Sequence, residues 1–273
     1  MLKAVALAVV TTLLGCKSKP VAPPPAPALG GSADPWAPQA GSAIDIPPWA
    51  HDPPNVLRDK LVGLNAHVVV LKTADMTEYR DILKTAEQTP GVVAAEPFIF
   101  LEGTLARGSG APVNTALKAV DPARVERVLT ISKHVSPVAL STLGPNDIVL
   151  GDDLAHKLGA ALGDAVTVTL PAGDTDWDHA PARSHTYRIA GTFHVDFDEY
   201  DGRIALLSLG AGQALVAKGD QVMGVEMVVK DVERADTVAH DLDTRLGGLP
   251  FEVMDWYELN KNLFTSLYGD KRP

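Results

Sequence analysis

Ala165-Val-Thr-Val-Thr-Leu170 and Thr186-Tyr-Arg-Ile-Ala190 are two runs of alternating apolar and polar residues, separated by a polar segment. Alternation of this kind over five or six residues predicts strands that bury one face. Because the second run follows a long loop, we expect a hairpin whose tip does not pack on the core. Loops of this length inside a domain are typically either disordered or used for binding.

The sequence around this hairpin is also rich in predicted strands. Asp147-Ile-Val-Leu150 and Arg203-Ile-Ala-Leu-Leu-Ser208 are short apolar runs bounded by turn residues, and Val113-Asn-Thr-Ala-Leu-Lys-Ala-Val120 alternates. A compact helix is predicted at Leu154-Ala-His-Lys-Leu158, directly after the first run. We therefore predict a β-rich middle segment over residues 110–210.

A strand–helix–strand unit precedes this segment. Val68-Val-Val-Leu71 predicts a strand, and Asp75 with Glu78 three residues later is a capping-box pattern for a following helix. The apolar run over residues 92–101 predicts the second strand, which we expect to be broken or bulged at Pro97.

The same order of elements recurs after the segment. Gly224-Val-Glu-Met-Val-Val-Lys230 predicts a strand, Asp231 is a candidate helix cap, and Phe251-Glu-Val-Met-Asp-Trp256 predicts a closing strand. The sequence thus predicts an α+β fold, in which a duplicated strand–helix–strand module (residues 56–109 and 211–273) is interrupted by the β-rich insert. Together the two halves are expected to form one four-stranded sheet under two helices.

The first sixteen residues have the pattern of a processing signal. Lys3 precedes an uncharged apolar run that ends at Leu13-Leu-Gly-Cys16, and Cys16 is the only cysteine. The run is shorter than the roughly 20 residues that span a bilayer. We interpret residues 1–15 as a lipoprotein signal peptide and Cys16 as the lipidated residue, the alternatives being a plain secretory signal or a free buried cysteine. Residues 16–55 are rich in Pro and Gly and predict an extended tether.

Composition excludes one class of partner. The formal net charge is −10 and the chain has no run of Lys and Arg, so nucleic acid is not an expected ligand. Hydrophobic residues make up 46% of the chain and charged residues 21%, which is ordinary for a globular protein.

Acidic residues suggest a metal or catalytic site at two places. Asp174-Thr-Asp176-Trp-Asp178 has the acid spacing of a calcium loop, but it lacks the required glycine and has His185 at position twelve. Further on, alternation in an extended chain would place His194, Asp196 and Asp198 on one face. Solvated loops explain both clusters.

The sequence lacks the motifs of three common kinds of active site, namely the nucleophile elbow, the zinc-protease helix and the phosphate-binding loop. We therefore predict that the protein is not an enzyme and binds no metal or cofactor. The alternative is a metal-dependent or hydrolytic enzyme.

Several short runs resemble, in their order and spacing, the periplasmic domain of LolC/LolE-type permeases, which share the extracytoplasmic domain of MacB-type permeases. These runs are Gly151-Asp-Asp-Leu-Ala155, Leu162-Gly-Asp-Ala-Val-Thr-Val168, Ile189-Ala-Gly-Thr-Phe193, Glu199-Tyr-Asp201 and Asp255-Trp-Tyr-Glu-Leu-Asn-Lys-Asn-Leu-Phe264. The resemblance covers residues 56–271. It implies a porter-like module interrupted by a "Sabre" insert, which agrees with the duplicated unit and insert described above.

The resemblance also implies a binding site. In the LolC branch the hairpin after the Gly-Asp strand grips a periplasmic lipoprotein carrier, and the matching positions are residues 171–185, called the hook segment below. Asp174, Trp177, Pro181 and Arg183 are the candidate contact residues. The alternative for Trp177 is that its ring folds back onto the hairpin.

Two departures from the permease pattern affect the expected function. A lipoprotein signal stands where the family has a membrane helix, and the sequence ends where the next one is expected. We expect either a lipid-anchored protein on the periplasmic face of the inner or outer membrane, with a carrier or ABC transporter subunits as partners, or a permease fragment. A structural spacer that assembles with itself is a third interpretation.

Overall fold

The computed structural model describes residues 48–172 and 182–269. Alternating and continuous apolar runs form strands in this part of the chain, as period-two patterning predicts. The strands are β1 (Val68–Met76), β2 (Val92–Ala106), β3 (Val113–Val120), β4 (Val135–Ser136), β5 (Asp147–Gly151), β6 (Ala165–Leu170), β7 (Arg183–Phe193), β8 (Ile204–Ser208), β9 (Val222–Val229) and β10 (Phe251–Asp255).

Helices alternate with these strands along much of the chain. They are α1 (Pro54–Leu64), α2 (Tyr79–Glu87), α3 (Val125–Val128), α4 (Asp152–Leu158), α5 (Asp198–Asp201), α6 (Leu209–Val216), α7 (Ala235–Leu246) and α8 (Trp256–Tyr268). Short 3-10 helices lie at Pro48–His51, Thr130–His134, Leu140–Thr142 and Val232–Arg234. The fold is therefore a mixed α and β fold, as the sequence predicted.

All ten strands belong to one sheet. Its order is β10-β1-β9-β2-β3-β8-β5-β7-β4, and β6 pairs with both β2 and β7. The pairs β3–β8 and β5–β7 are parallel, whereas the other pairs are antiparallel. The predicted insert thus extends the same sheet through β3 and β8 rather than forming a detached one.

The strands of the two predicted strand–helix–strand units lie together at one end of the sheet. There β10, β1, β9 and β2 are consecutive, and α2 and α7 pack on them and on each other. Helix α2 buries one stripe of side chains, comprising Tyr79, Ile82, Leu83 and Ala86. The predicted four strands under two helices are therefore present, but as one end of the ten-stranded sheet and not as a sheet of their own.

The two faces of β1 bury different clusters of apolar side chains. Val68 and Val70 face the main core, which also contains the buried stripes of α2 and α7. Val69 and Leu71 point the other way and pack in a small cluster with Phe98, Met254 and part of α8. Both faces of the sheet are therefore covered, the second by fewer side chains.

Two local predictions were wrong. Asp75 does not cap a helix, because β1 continues to Met76, which pairs with Val222 of β9, and α2 begins only at Tyr79. Strand pairing on a long sheet here overrides a local capping signal. Asp75 instead accepts a hydrogen bond from Lys218 Nζ at 3.3 Å.

Pro97 does not interrupt β2. It lies opposite Val225 in a continuous strand, and the irregular register falls between Val92 and Ala94. Pairing of β2 with β3 begins one residue later, at Phe98. A proline without an N–H donor is tolerated where a strand has no neighbour on one side.

The last helix described, α8, is 13 residues long and begins at Trp256, with Asp255 as its cap: the Asp255 carboxylate accepts from the Glu258 N–H at 2.8 Å. Among the helices of residues 48–172 and 182–269, none has the length and apolar character needed to cross a membrane.

Candidate partner-binding site

The predicted hairpin is present as strands β6 and β7. These strands pair in antiparallel register from Ala165 opposite Arg188 to Leu170 opposite Arg183. Val166 and Tyr187 lie opposite each other and are both buried, which fixes the inner face of the hairpin. The sequence prediction of an antiparallel hairpin is confirmed.

Hydroxyl pairs hold the outer face of the hairpin. The side-chain oxygens of Thr167 and Thr186 are 3.0 Å apart, and those of Thr169 and Ser184 are 2.9 Å apart. Cross-strand Thr–Thr and Thr–Ser pairs each stabilise a sheet by about 0.2–1 kcal/mol. The second pair lies one register position before the last pair of the two strands, Leu170 opposite Arg183.

Strand β2 supports the hairpin from the side. Thr104, Leu105 and Ala106 of β2 pair with β6, and a Cβ at Gly103 would lie 2.7 Å from the Thr169 carbonyl oxygen. Only glycine fits at this approach without a backbone shift. The hairpin is therefore built into the large sheet and is not a free arm.

Arg183, at the start of β7, is the one predicted contact residue within the described part of the chain. Its guanidinium group donates to the carbonyl oxygen of Val216 at the end of α6. The side chain is intermediate in exposure. Arg183 thus attaches the hairpin to α6. Sequence patterns could not predict this contact, because the two residues are 33 positions apart.

The other predicted contact residues, Asp174, Trp177 and Pro181, lie outside the described residues. His185 is the last residue of the hook segment and lies in β7, where its Nε2 is 3.1 Å from Asn146 Oδ1. Its ring centroid is 4.6 Å from that of Tyr187. His185 therefore stabilises the hairpin base.

The second acidic cluster forms a closed loop around Asp201. The Asp201 carboxylate accepts from the backbone N–H of Val195 at 2.9 Å and of Phe197 at 3.3 Å. His194 bridges two acids, with Nδ1 3.2 Å from Asp201 and Nε2 3.0 Å from Asp196. The carboxylate of Asp201 is buried and spans the loop, which is a structural role.

The pKa values of the two ionisable groups at the centre of this loop, His194 and Asp201, are both raised. The hydrogen bond with Asp196 and then the charge of Asp201 raise the pKa of His194. Burial raises the pKa of Asp201, although the two backbone N–H donors and His194 oppose that change.

The predicted common face of His194, Asp196 and Asp198 is not formed. Asp196 has a positive φ of 55° and Asp198 begins α5, so the chain is not extended here. Across the described ranges, no group of three or more His, Cys, Asp or Glu side chains is placed to hold a metal ion. The first acidic cluster, Asp174 to Asp178, falls outside those ranges.

Comparison with known protein families gives a clear match. The family model for the MacB-like periplasmic core domain matches residues 40–245. The chain belongs to this family. The matched range includes the hairpin, the first strand–helix–strand unit and the second unit as far as α7, whereas β10 and α8 lie beyond it.

The curated relatives are named as proteins of a lipoprotein-releasing system. The chain is 30% identical over 218 residues to the lipoprotein-releasing system transmembrane protein LolC of Xylella fastidiosa, and 24% identical over 220 residues to that of Neisseria meningitidis. Each match covers 79% of this chain and 52% of the relative. The chain thus spans about half the length of the curated relatives it matches.

Solved structures with detectable similarity are more distant. The periplasmic region of MacB from Actinobacillus actinomycetemcomitans aligns with a TM-score of 0.48 at 10% identity, over 74% of this chain and 95% of that one. The extracellular domain of the ABC-type transporter YknZ from Gram-positive bacteria aligns with a TM-score of 0.46 at 11% identity, over 70% and 100% of the two chains.

Proposed function

We propose that this MacB-like periplasmic core domain is a lipid-anchored protein-binding module of the cell envelope. It acts in lipoprotein trafficking, or as an accessory to a LolCDE-like or MacB-like ABC transporter. The similarity to LolC proteins, which are named as parts of a lipoprotein-releasing system, is the observation that carries this proposal.

The proposed anchor is Cys16. A short positive start, an apolar run and Leu13-Leu-Gly-Cys16 together are the pattern of a bacterial lipoprotein signal. The Pro-rich and Gly-rich segment that follows would hold the folded domain away from the bilayer. The partner-binding surface then faces the periplasm at a distance set by this tether.

The proposed contact is the hook segment. Its base is fixed, because Leu170, directly before the segment, pairs with Arg183, within it, at the end of a hairpin that β2 supports. A rigid base lowers the entropy lost when a loop binds. Trp177 is the proposed anchor, since a tryptophan that fills a pocket on a partner often supplies much of the binding energy.

Affinity capture from envelope extracts tests the proposal. The full chain with the native hook segment is expected to retain a periplasmic lipoprotein carrier or a transporter subunit. Trp177→Ala should weaken that binding by at least ten-fold, as expected for an aromatic hot spot. Trp36→Ala, which removes the same side chain from the tether, is the matched control and should bind normally.

Two outcomes would contradict the proposal. If neither a carrier nor a transporter subunit is recovered, the proposed function is contradicted. Equal binding by wild type and Trp177→Ala would leave the function in place and remove the hook segment as its contact site. Thermal unfolding of both variants checks that the domain itself is intact.

A further inference from the structure

A buried cluster of charged side chains lies on the second face of the sheet. Glu96 of β2 and Glu226 of β9 are opposite each other in register, and they are 0% and 3% exposed. Lys118 of β3 donates from Nζ to Glu226 Oε2 at 2.8 Å. Charges are rarely buried so completely in a sheet unless they are paired or serve a ligand.

This cluster borders an apolar cavity. The cavity lies between the sheet and helices α1, α5 and α8, encloses about 100 Å³ and is partly open to solvent. Leu61, Val69, Phe98, Ala116, Ile204 and Leu259 are among the apolar side chains that line it. An apolar cavity of about 150 Å³ is large enough to bind benzene, so this one has room for a short alkyl group.

Glu226 lines this cavity and carries an unsatisfied acceptor. Its Oε2 accepts from Lys118, but its Oε1 is buried and has no hydrogen-bond partner among the described residues. A buried acceptor without a donor destabilises a protein by about 1–3 kcal/mol, and by more when it is charged. A bound group that donates a hydrogen bond would remove this penalty.

The charges of the cluster are also unbalanced. Two carboxyl groups, Glu96 and Glu226, share one ammonium group, and Glu96 accepts from the Asp121 N–H at 3.1 Å. Burial and the neighbouring Glu226 raise the pKa of Glu96 well above its usual range. A proton thus substitutes for a missing positive charge, and a cationic ligand could supply that charge instead.

We propose that the cavity binds a small aliphatic amine, with its ammonium group donating to Glu226 Oε1 and its alkyl group against Val69 and Phe98. The amine supplies both the absent donor and the absent charge, and its hydrocarbon part matches the apolar lining. This site is separate from the hook segment and does not depend on the function proposed for it.

Calorimetric titration of the full chain with three six-carbon probes tests the chemistry. n-Hexylamine is expected to bind saturably at one site per chain. n-Hexanol, which can donate but carries no charge, should bind at least ten-fold more weakly, and hexanoate should not bind. Binding of hexanoate as strong as that of the amine, or no binding of hexylamine, would overturn the proposal.

Variants locate the site. Glu226→Gln keeps the side-chain size and should weaken hexylamine binding at least ten-fold. Glu233→Gln makes the same charge change on a side chain that is 70% exposed, so it controls for general attraction to an acidic protein and should bind normally. Ala116→Leu fills the cavity and should abolish binding.

Unchanged binding by both Glu226→Gln and Ala116→Leu would also overturn the proposal. If these variants fail to fold, methyl NMR of the wild-type chain decides the location. Hexylamine should shift the methyl signals of Leu61, Val69 and Leu259, whereas shifts confined to other methyl groups would place the amine elsewhere and refute the site.

Discussion

Glu96 and Glu226 face each other across the antiparallel pair β2–β9, at a position where the sheet is covered on both faces. Acidic residues in strand interiors normally point to solvent. Here one Lys118 ammonium group is shared by a pair of carboxyl groups, which repel each other when both are ionised. The pair therefore links the stability of the sheet to pH.

Glu96→Gln should change the pH dependence of stability. Because the pKa of Glu96 is raised above its ordinary value of 4.5 in the folded state, the stabilisation from this group is complete at low pH. It is lost as the pH rises through the folded-state pKa. Gln does not titrate, so the variant should gain stability relative to wild type as the pH increases.

Denaturant unfolding at a series of pH values from 4 to 8 measures this difference. Glu233→Gln, an exposed substitution with the same change of charge, is the control for overall electrostatics. A difference between Glu96→Gln and wild type that stays constant with pH, or that falls at high pH, would contradict the assignment.

The close packing of α6 on β3 should make the stability of the domain depend on glycine at position 212. A Cβ at Gly212 would lie 2.4 Å from the Ala119 Cβ, whereas a Cβ at Gly210 would have no neighbour within 4 Å. Gly212→Ala should therefore destabilise the domain by about 1–3 kcal/mol through overpacking. Gly210→Ala should be neutral or should stabilise it by up to about 1 kcal/mol.

Thermal or chemical unfolding of the two variants provides the comparison, because both change glycine to alanine in one helix. Equal stabilities would show that α6 does not approach β3 as closely as described. A stable Gly212→Ala with an unstable Gly210→Ala would reverse the expected order and exclude this packing.

Much of the fold could be predicted because its signals are local. Alternation in Ala165-Val-Thr-Val-Thr-Leu170 specifies a strand with Val166 and Val168 inside, and both are buried in β6. The stripe of α2, from Tyr79 to Ala86, follows the helical period in the same way. Such patterns need no knowledge of distant residues.

The errors arise where distant parts of the chain decide the local structure. Asp75 has an ideal capping sequence, but pairing of Met76 with Val222 keeps this segment in β1. The extension of the sheet from β2 through β3 to β8 depends on residues far apart in sequence. Glu96 and Glu226 are separated by 130 positions, so their pairing could not be inferred from either stretch.

In the candidate site, too, the features with local sequence signals were predictable and those that depend on distant residues were not. The hairpin base was predictable from alternation, and its hydroxyl pairs follow from the register. The attachment of Arg183 to Val216 was not, because it depends on where α6 lies in the folded domain. Partner binding by Asp174, Trp177, Pro181 and Arg183 stays a prediction.

Asp201→Ala should destabilise the domain by about 2–3 kcal/mol, since it leaves the N–H groups of Val195 and Phe197 without their acceptor. The exposed Asp198→Ala in the same loop is the matched control, and its effect should stay within about 0.5 kcal/mol. Urea unfolding measures both. An effect of Asp201→Ala no larger than that of Asp198→Ala would show that the carboxylate does not organise the loop.

Cys16→Ser should abolish lipidation and release the chain from membranes. The lipid attachment proposed for Cys16 would use its thiol, and each buried methylene of an acyl chain contributes about 0.8 kcal/mol to membrane binding. Serine keeps the size of the side chain but lacks the thiol, so the signal pattern around it stays nearly unchanged. Incorporation of labelled palmitate and fractionation of the cell envelope measure the two expected losses.

Ser18→Ala, two residues further along, controls for changes near the anchor and should be labelled and membrane-bound like wild type. Labelling of Cys16→Ser at the wild-type level would exclude Cys16 as the lipidated residue. Loss of label with full retention in the membrane fraction would show that another part of the protein holds it there, and the tether model would fail. Loss of both, with Ser18→Ala intact, is the result expected if the Pro-rich and Gly-rich segment after Cys16 connects a lipid anchor to the folded domain.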